Sequence, residues 1–206
     1  ISADQGISDA RLPNGGKCVA IFPPLSPEGP VFAFHRGSSA NSTLATLIAA
    51  DTIDERIAAL LRLSAKAGLT TVVVGPPKSA KTSILSAICS DLGETMRIVT
   101  VARSREFRSK QVGRIELVEA ENTPLAKILP YAQLMGPELL VIDGATALEL
   151  STLADIDKPA LKGVVVSLTE GERINSDVLL PDIVIRTGWG HDSQLRVLTV
   201  QDSNAT

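Results

Sequence analysis

The run TTVVVGPPKSAKTSILSAICSDL, Thr70 to Leu92, restricts the fold more than any other part of this 206-residue chain. TTVVV is a continuous β-branched run, as expected of a strand buried on both faces. The loop GPPKSAKTS follows it directly, and an apolar-periodic helix over Thr82–Leu92 follows the loop. A strand covered on both faces needs helices above and below, which points to a layered α/β core. The loop nearly spells G-x-x-x-x-G-K-[ST]: Gly75, Lys81 and Thr82 are in place, but Ala80 stands where the second glycine belongs.

In that strand–loop–helix context the first-turn N–H groups and the helix dipole attract a phosphate. Lys81 is placed to reach phosphate oxygens, and the Thr82 hydroxyl to ligate Mg²⁺. The nucleotide-binding candidates are Gly75, Ser79, Ala80, Lys81, Thr82 and Ser83. Ala80 is the weak point: the glycine it replaces lets the backbone pass close to the phosphates, often in a conformation unfavourable to a Cβ, and forcing another residue into it costs roughly 1–2 kcal/mol. A bare strand–turn–helix corner without a ligand is the alternative reading. The apolar run ELLVID ends in Asp143, at the strand edge where α/β sites lie. Asp143 is the second candidate for Mg²⁺, or else a strand-end residue bonding a turn or capping a helix.

Elsewhere the same alternation continues. KCVAIF (17–22) and VFAFHR (31–36) read as two short strands amid turn chemistry. The polar GSSANS (37–42) marks a domain boundary. Thr43 is expected to cap a helix to Ala50, and Thr52 one over Ile53–Ala67, ended by Gly68. RIVTV, RIELVE, ELLVID, GVVVSL, DIVIRT and QLRVLTV read as strands, the last two pairing across GWGHDS. PLAKILPYAQL and ATALELSTLAD read as helices. The expected division is 1–40 as part of an N-terminal domain, 41–68 as linker helices, and 69–206 as the core.

Composition excludes several classes. Twenty basic against twenty-three acidic residues give a net charge of −3, and aromatics are 3%, so neither a phosphate-tracking surface nor a base-stacking platform for nucleic acid is present. No apolar run approaches the roughly 20 residues that span a bilayer. The opening residues ISADQGIS, without an initiator Met, are expected to continue from a longer protein. Cys18 and Cys89 lack metal-like spacing and read as small apolar residues of a reducing compartment. RSREFRSKQ (103–111) is a local basic run, read as a solvated loop or as a contact with a neighbouring subunit or acidic headgroups.

SDARLPNGGKCVAIFPPLSPEGPVFAFHR (8–36) resembles the D-A-R-L-P-D-G-S-R-V and I-P-P-L segment of the type II/type IV secretion ATPase superfamily, in its tight-adherence pilus assembly branch. The likeness runs on through the P-loop, RIVTV, GPELLVI and GVVVSL, so it covers nearly the whole chain. It implies a RecA-like P-loop core of three layers with a mostly parallel sheet, preceded by a fragment of an N-terminal α+β domain. It also implies hexameric rings that bind ATP and Mg²⁺ between the two domains, with Arg11 and Arg36 reaching the phosphates. The implied partners are further copies or an active paralogue, and an inner-membrane platform protein. The implied location is cytoplasmic, peripheral at the inner membrane.

Against that family's G-G-T-G-S-G-K-T, Pro76, Lys78 and Ala80 all replace glycines. Its acidic T-I-E-D stretch is matched by TVAR, which puts Ala102 and Arg103 at the two carboxylate positions. Gly144 stands where its catalytic Glu belongs, with Asp143 one residue early and facing the other way along a strand. Its histidine position falls on Thr169, and neither His35 nor His191 replaces it. Glu106 matches the last acidic position of its E-D-x-x-E-L segment, so Asp143 and Glu106 are the remaining catalytic candidates. Losing a general base typically costs 10²–10⁴-fold in rate. The expectation is a degenerate domain with weak nucleotide binding and impaired or absent hydrolysis; the alternatives are a slow working ATPase and a ligand-free scaffold.

Overall fold

A computed structural model describes residues 6–11, 17–35, 42–92, 96–104, 107, 113–120, 122–153, 163–169, 171, 181–189 and 195–202. The chain divides into two compact units, Ile1–Ala40 and Asn41–Thr206.

The first unit is a three-stranded antiparallel sheet of β1 (Ile7–Arg11), β2 (Lys17–Ile21) and β3 (Val31–His35), in that order. β2 and β3 occupy the apolar runs read from sequence. β1 was missed, because ISDAR has a single β-branched residue; its pairing rests on backbone register, from Ile7 opposite Ile21 to Arg11 opposite Lys17. Phe32 and Phe34 leave β3 on one face with their rings stacked at 6.4 Å, and both are exposed.

The second unit holds a seven-stranded sheet. Its elements are α1 (Leu44–Ala49), α2 (Glu55–Ala67), β4 (Thr71–Gly75), α3 (Lys81–Asp91), β5 (Ile98–Ala102), β6 (Ile115–Val118), α4 (Leu125–Leu134), β7 (Leu139–Ala145), α5 (Ala147–Leu150), β8 (Gly163–Thr169), β9 (Ile183–Trp189) and β10 (Leu195–Asp202). The sheet order is β10-β9-β4-β8-β7-β5-β6; six strands run parallel, and β10 returns antiparallel to β9. This is the three-layer α/β fold with a mostly parallel sheet that the alternation of strands and helices predicts.

Strand alternation sorts the core into two faces. Val73, Ile98, Leu139, Val141, Val165 and Ile185 pack with Leu44, Leu61, Ile84 and Leu85 of α1, α2 and α3. Val72, Val74, Val99, Val101, Leu140, Ile142, Val164 and Val166 pack with Leu125 and Leu129 of α4. Every residue of β4 and β5 is buried, as the unbroken apolar runs require.

Helix ends follow the sequence with two corrections. Thr43 caps α1 and closes a reciprocal capping box with Thr46. The cap of α2 is Asp54 rather than Thr52: the Asp54 carboxylate accepts from the Ile57 N–H at 2.7 Å, while Thr52 is buried before the helix begins. Gly68, at φ 76°, ends α2 in the left-handed conformation. Arg62 of α2 pairs with Asp91 of α3 through two hydrogen bonds. The Arg62 guanidinium holds the Asp91 carboxyl below its usual range. After β7 only one helical turn forms before a 3-10 turn over Ser151–Leu153; Ala154 and Asp155 of the predicted helix lie outside the described residues. Cys89 is fully buried on α3 and Cys18 half-buried on β2, and neither is paired. No helix among the described residues is long and apolar enough to cross a membrane.

Candidate functional site

The phosphate-binding candidate is built by β4, which ends at Gly75, and α3, which begins at Lys81. Gly75 is required by space. A Cβ there would sit 2.3 Å from Thr187 Oγ1, 2.6 Å from Ser79 Oγ and 2.6 Å from the Thr187 carbonyl oxygen. Thr187 lies on the neighbouring β9, and its hydroxyl shares a 2.7 Å hydrogen bond with Ser79, both side chains being buried. The Ser79 hydroxyl, a sequence candidate for the nucleotide, is thus buried and bonded to the sheet.

Two of the three positions where glycine is replaced adopt left-handed backbone: Lys78 at φ 64° and Ala80 at φ 64°. Ala80 is the N-cap of α3 and offers no side-chain cap. The strain anticipated at Ala80 is thus present, and Lys78 shares it. The Lys81 ammonium donates to the Gly75 and Pro76 carbonyl oxygens, each at 2.7 Å, so the loop folds around its own lysine. Thr82 and Ser83 follow in the first turn of α3, half-buried, where backbone N–H groups and the helix dipole favour an anion.

Asp143 meets this helix. Alternation along β7 puts it on the same face as Leu139 and Val141, opposite to the face of Gly144. That is the face α3 covers. Thr82 Oγ1 donates to Asp143 Oδ2 at 2.8 Å. The Ser167 hydroxyl of β8 donates to the other carboxylate oxygen and accepts the Gly144 N–H at 2.8 Å. Asp143 and Gly144 form a bulge: Ile142 pairs with Val166 and Ala145 with Leu168, leaving two residues of β7 against Ser167. Gly144 takes φ 74° there, a conformation that glycine adopts without steric cost.

Arg103, at a position where the resemblance has a carboxylate, lies at the end of β5. Its Nε donates to the Gly144 carbonyl at 2.8 Å, Nη2 to Glu149 at 2.7 Å and Nη1 to Glu119 at 3.2 Å. Sequence reasoning missed Ser167, Glu119 and Glu149. Ser167 had a signal, being the one hydroxyl inside the run GVVVSL; the two glutamates had none, since their partners lie 16 and 46 residues away.

The donor set suits a hard cation. A hydroxyl and a carboxylate beside a phosphate-favouring helix start are the protein oxygens that Mg²⁺ takes when phosphate supplies others. Among the described residues no cluster of three or more His, Cys, Asp or Glu forms, so a cation here would depend on phosphate and water for the rest of its shell. Thr169 ends β8, exposed, beside Gly75. Arg11 is placed only as part of the β1 backbone. Arg36, Glu106 and His191, with most of the basic run, lie outside the described residues.

No protein-family model matches the chain. An uncharacterised protein of Methanocaldococcus jannaschii is 26% identical over 125 residues, and the match spans 60% of this chain but 23% of that protein. Among solved structures, the chain is similar to the VirB11 ATPase of the Brucella suis type IV secretion system (TM-score 0.59, 16% identity, 98% of this chain and 78% of that one). It is similar to the pilus retraction motor PilT, solved with bound ADP (TM-score 0.67, 13% identity, 97% and 64%). It is also similar to the Yersinia pseudotuberculosis ATPase DotB (TM-score 0.68, 11% identity, 98% and 63%). These likenesses establish a shared RecA-like fold.

Proposed function

We propose that this chain is the core of a degenerate secretion or pilus-assembly ATPase, which binds ATP and Mg²⁺ weakly and hydrolyses little or none. Its role is structural or regulatory, within a motor that powers secretion or pilus assembly in the tight-adherence branch. The observation that carries this reading is a split in the site. Thr82, hydrogen-bonded to Asp143, and Lys81 open α3 as the proposed cation and phosphate ligands, whereas the resemblance puts Arg103, Gly144 and Thr169 at the positions of its acidic and histidine groups.

Each retained part has a stated task. Gly75, Ala80 and Ser83, with the backbone of Ser79, shape the cradle, and Lys81 moves from the Gly75 and Pro76 carbonyls to phosphate. Bound Mg²⁺ neutralises phosphate charge; Thr82 and Asp143 are the protein groups that hold it. Arg11 and Arg36 supply charge-assisted contacts to phosphate. In the degenerate reading no side chain replaces the missing base. The domain assembles as a hexameric ring, with its own copies or with an active paralogue, on an inner-membrane platform protein at the cytoplasmic face.

Titration with a fluorescent ATP analogue, with and without Mg²⁺, followed by phosphate-release assay of the same sample, tests the proposal. Binding that Lys81→Ala abolishes, with negligible phosphate release, is expected. Turnover comparable to active motors would refute it. The Thr82–Asp143 contact favours one second reading, a slow ATPase in which Asp143 (or Glu106) orients water. Phosphate release that is lost in both Lys81→Ala and Asp143→Asn would select that reading.

A further inference from the structure

We propose that Arg103 is a positioning residue for the cation half of the site: by holding the Gly144 carbonyl it fixes the bulge that aims Asp143 at Thr82. This rests on the reading of Thr82 and Asp143 as Mg²⁺ ligands. An exposed arginine is usually mobile and its ion pairs are worth little. Arg103 differs because its planar fork is engaged on three sides, by the Gly144 carbonyl, Glu119 and Glu149.

Both carboxylates are anchored in turn. Glu149 Oε2 accepts the Thr146 N–H at 2.8 Å and the Thr146 hydroxyl at 3.0 Å, closing the capping box of α5. Glu119 Oε1 accepts the Leu125 N–H at 3.3 Å, at the first turn of α4. The guanidinium is thereby braced against the starts of two helices. What it braces is the Gly144 carbonyl, within the bulge of β7. Gly144 has no side chain to pack and sits at φ 74°, next to the carboxylate that must face Thr82. Ser167 holds its N–H and Arg103 its carbonyl, so the bulge is fixed from both sides.

The chemistry of the position has therefore changed in kind. Where the resemblance has a carboxylate, this chain has a cation whose charge is directed into neighbouring carboxylates and a carbonyl. Arg103 acts on the cation through Asp143, as groups behind a metal ligand orient that ligand.

Two measurements on the full chain test this. Amide exchange at Gly144, read by NMR without metal or nucleotide, is expected to quicken at least about tenfold in Arg103→Gln, with Val73 and Val165 unchanged. Titration with a fluorescent ATP analogue is expected to show the Mg²⁺-dependent gain in affinity falling about tenfold, with Mg²⁺-free affinity retained. Arg103→Lys, whose ammonium cannot bridge all three acceptors, is expected to behave like Arg103→Gln and serves if that variant fails to fold. Unchanged Gly144 exchange overturns the inference, as does a Mg²⁺ gain that survives in the variants, or an equal loss of both affinities. A flat titration of the native chain instead overturns the nucleotide reading on which the inference rests.

Discussion

Thr82, at the start of α3, and Asp143, near the end of β7, are joined by a 2.8 Å hydrogen bond from hydroxyl to carboxylate across 61 residues of sequence. The bond ties the phosphate-loop helix to β7. Thr82→Val keeps the shape of the side chain and removes the donor. It is expected to cost about 1–3 kcal/mol of stability, because a hydrogen bond to a charged acceptor is lost. Thr82→Ser keeps the donor and is expected to stay within about 0.5 kcal/mol of the native protein. Urea unfolding of the two variants checks this, and equal midpoints would show that the bond contributes nothing.

Gly75→Ala tests the tightest contact in the site. The added methyl would lie 2.6 Å from the Thr187 carbonyl oxygen, and a backbone atom in a paired strand cannot rotate away as a side chain can. Relief requires β4 and β9 to move apart next to their last paired residues, Val74 and Arg186. The loss is expected to exceed about 3 kcal/mol, at the severe end for a single substitution. Thermal unfolding measures it. A loss below about 1 kcal/mol, within the ordinary range of point substitutions, would mean that the two strands separate there at little cost.

Ala80→Gly relieves the left-handed cap of α3. Left-handed backbone costs a residue with a Cβ roughly 1–2 kcal/mol, while glycine loses about 0.5–1 kcal/mol more in ordering than alanine. The net gain in stability is therefore expected to be about 0–1.5 kcal/mol. Nucleotide affinity is expected to rise by up to about tenfold, the equivalent of about 1.4 kcal/mol. On the proposed degenerate reading phosphate release is expected to change little, because the resemblance puts Arg103 and Gly144 at its carboxylate positions. Unchanged affinity would mean that the loop, folded around Lys81, does not open to phosphate.

The core was legible because burial on both faces leaves a mark in composition. TTVVV, ELLVID and GVVVSL each became a parallel strand within one or two residues of the sequence reading. The β1 strand left no such mark; ISDAR is held by backbone pairing, which is indifferent to side chains. At the site, local chemistry was legible and long-range chemistry was not. The strain at Ala80 followed from the motif alone. That Asp143 faces Thr82 depends on which side of β7 carries α3, and hence on the layer order of the whole unit. The grip of Arg103 on Glu119 and Glu149 depends on four elements converging, and no spacing encodes that.

Cys89 gives the chain a pH-dependent stability of predictable sign. Burial pushes its thiol up from 9.0 to about 12, a rise that the charge of Arg114 offsets only in part. The folded thiol therefore keeps its proton where the unfolded one releases it. Between about pH 9 and pH 12 the unfolded state binds fewer protons, so stability falls as pH rises, by at most about 1.4 kcal/mol per pH unit from this group. At about pH 7 and below both states are protonated and the contribution of Cys89 is constant. Urea unfolding of the native chain and of Cys89→Ala at pH 6, 7 and 10 isolates the effect. The native protein is expected to lose more stability than the variant between pH 7 and 10, and the two to run parallel between pH 6 and 7. At pH 8 the same thiol is expected to resist iodoacetamide until the chain unfolds. Rapid alkylation of folded Cys89, or parallel curves up to pH 10, would show that the thiol is not sealed in the core on the buried face of α3.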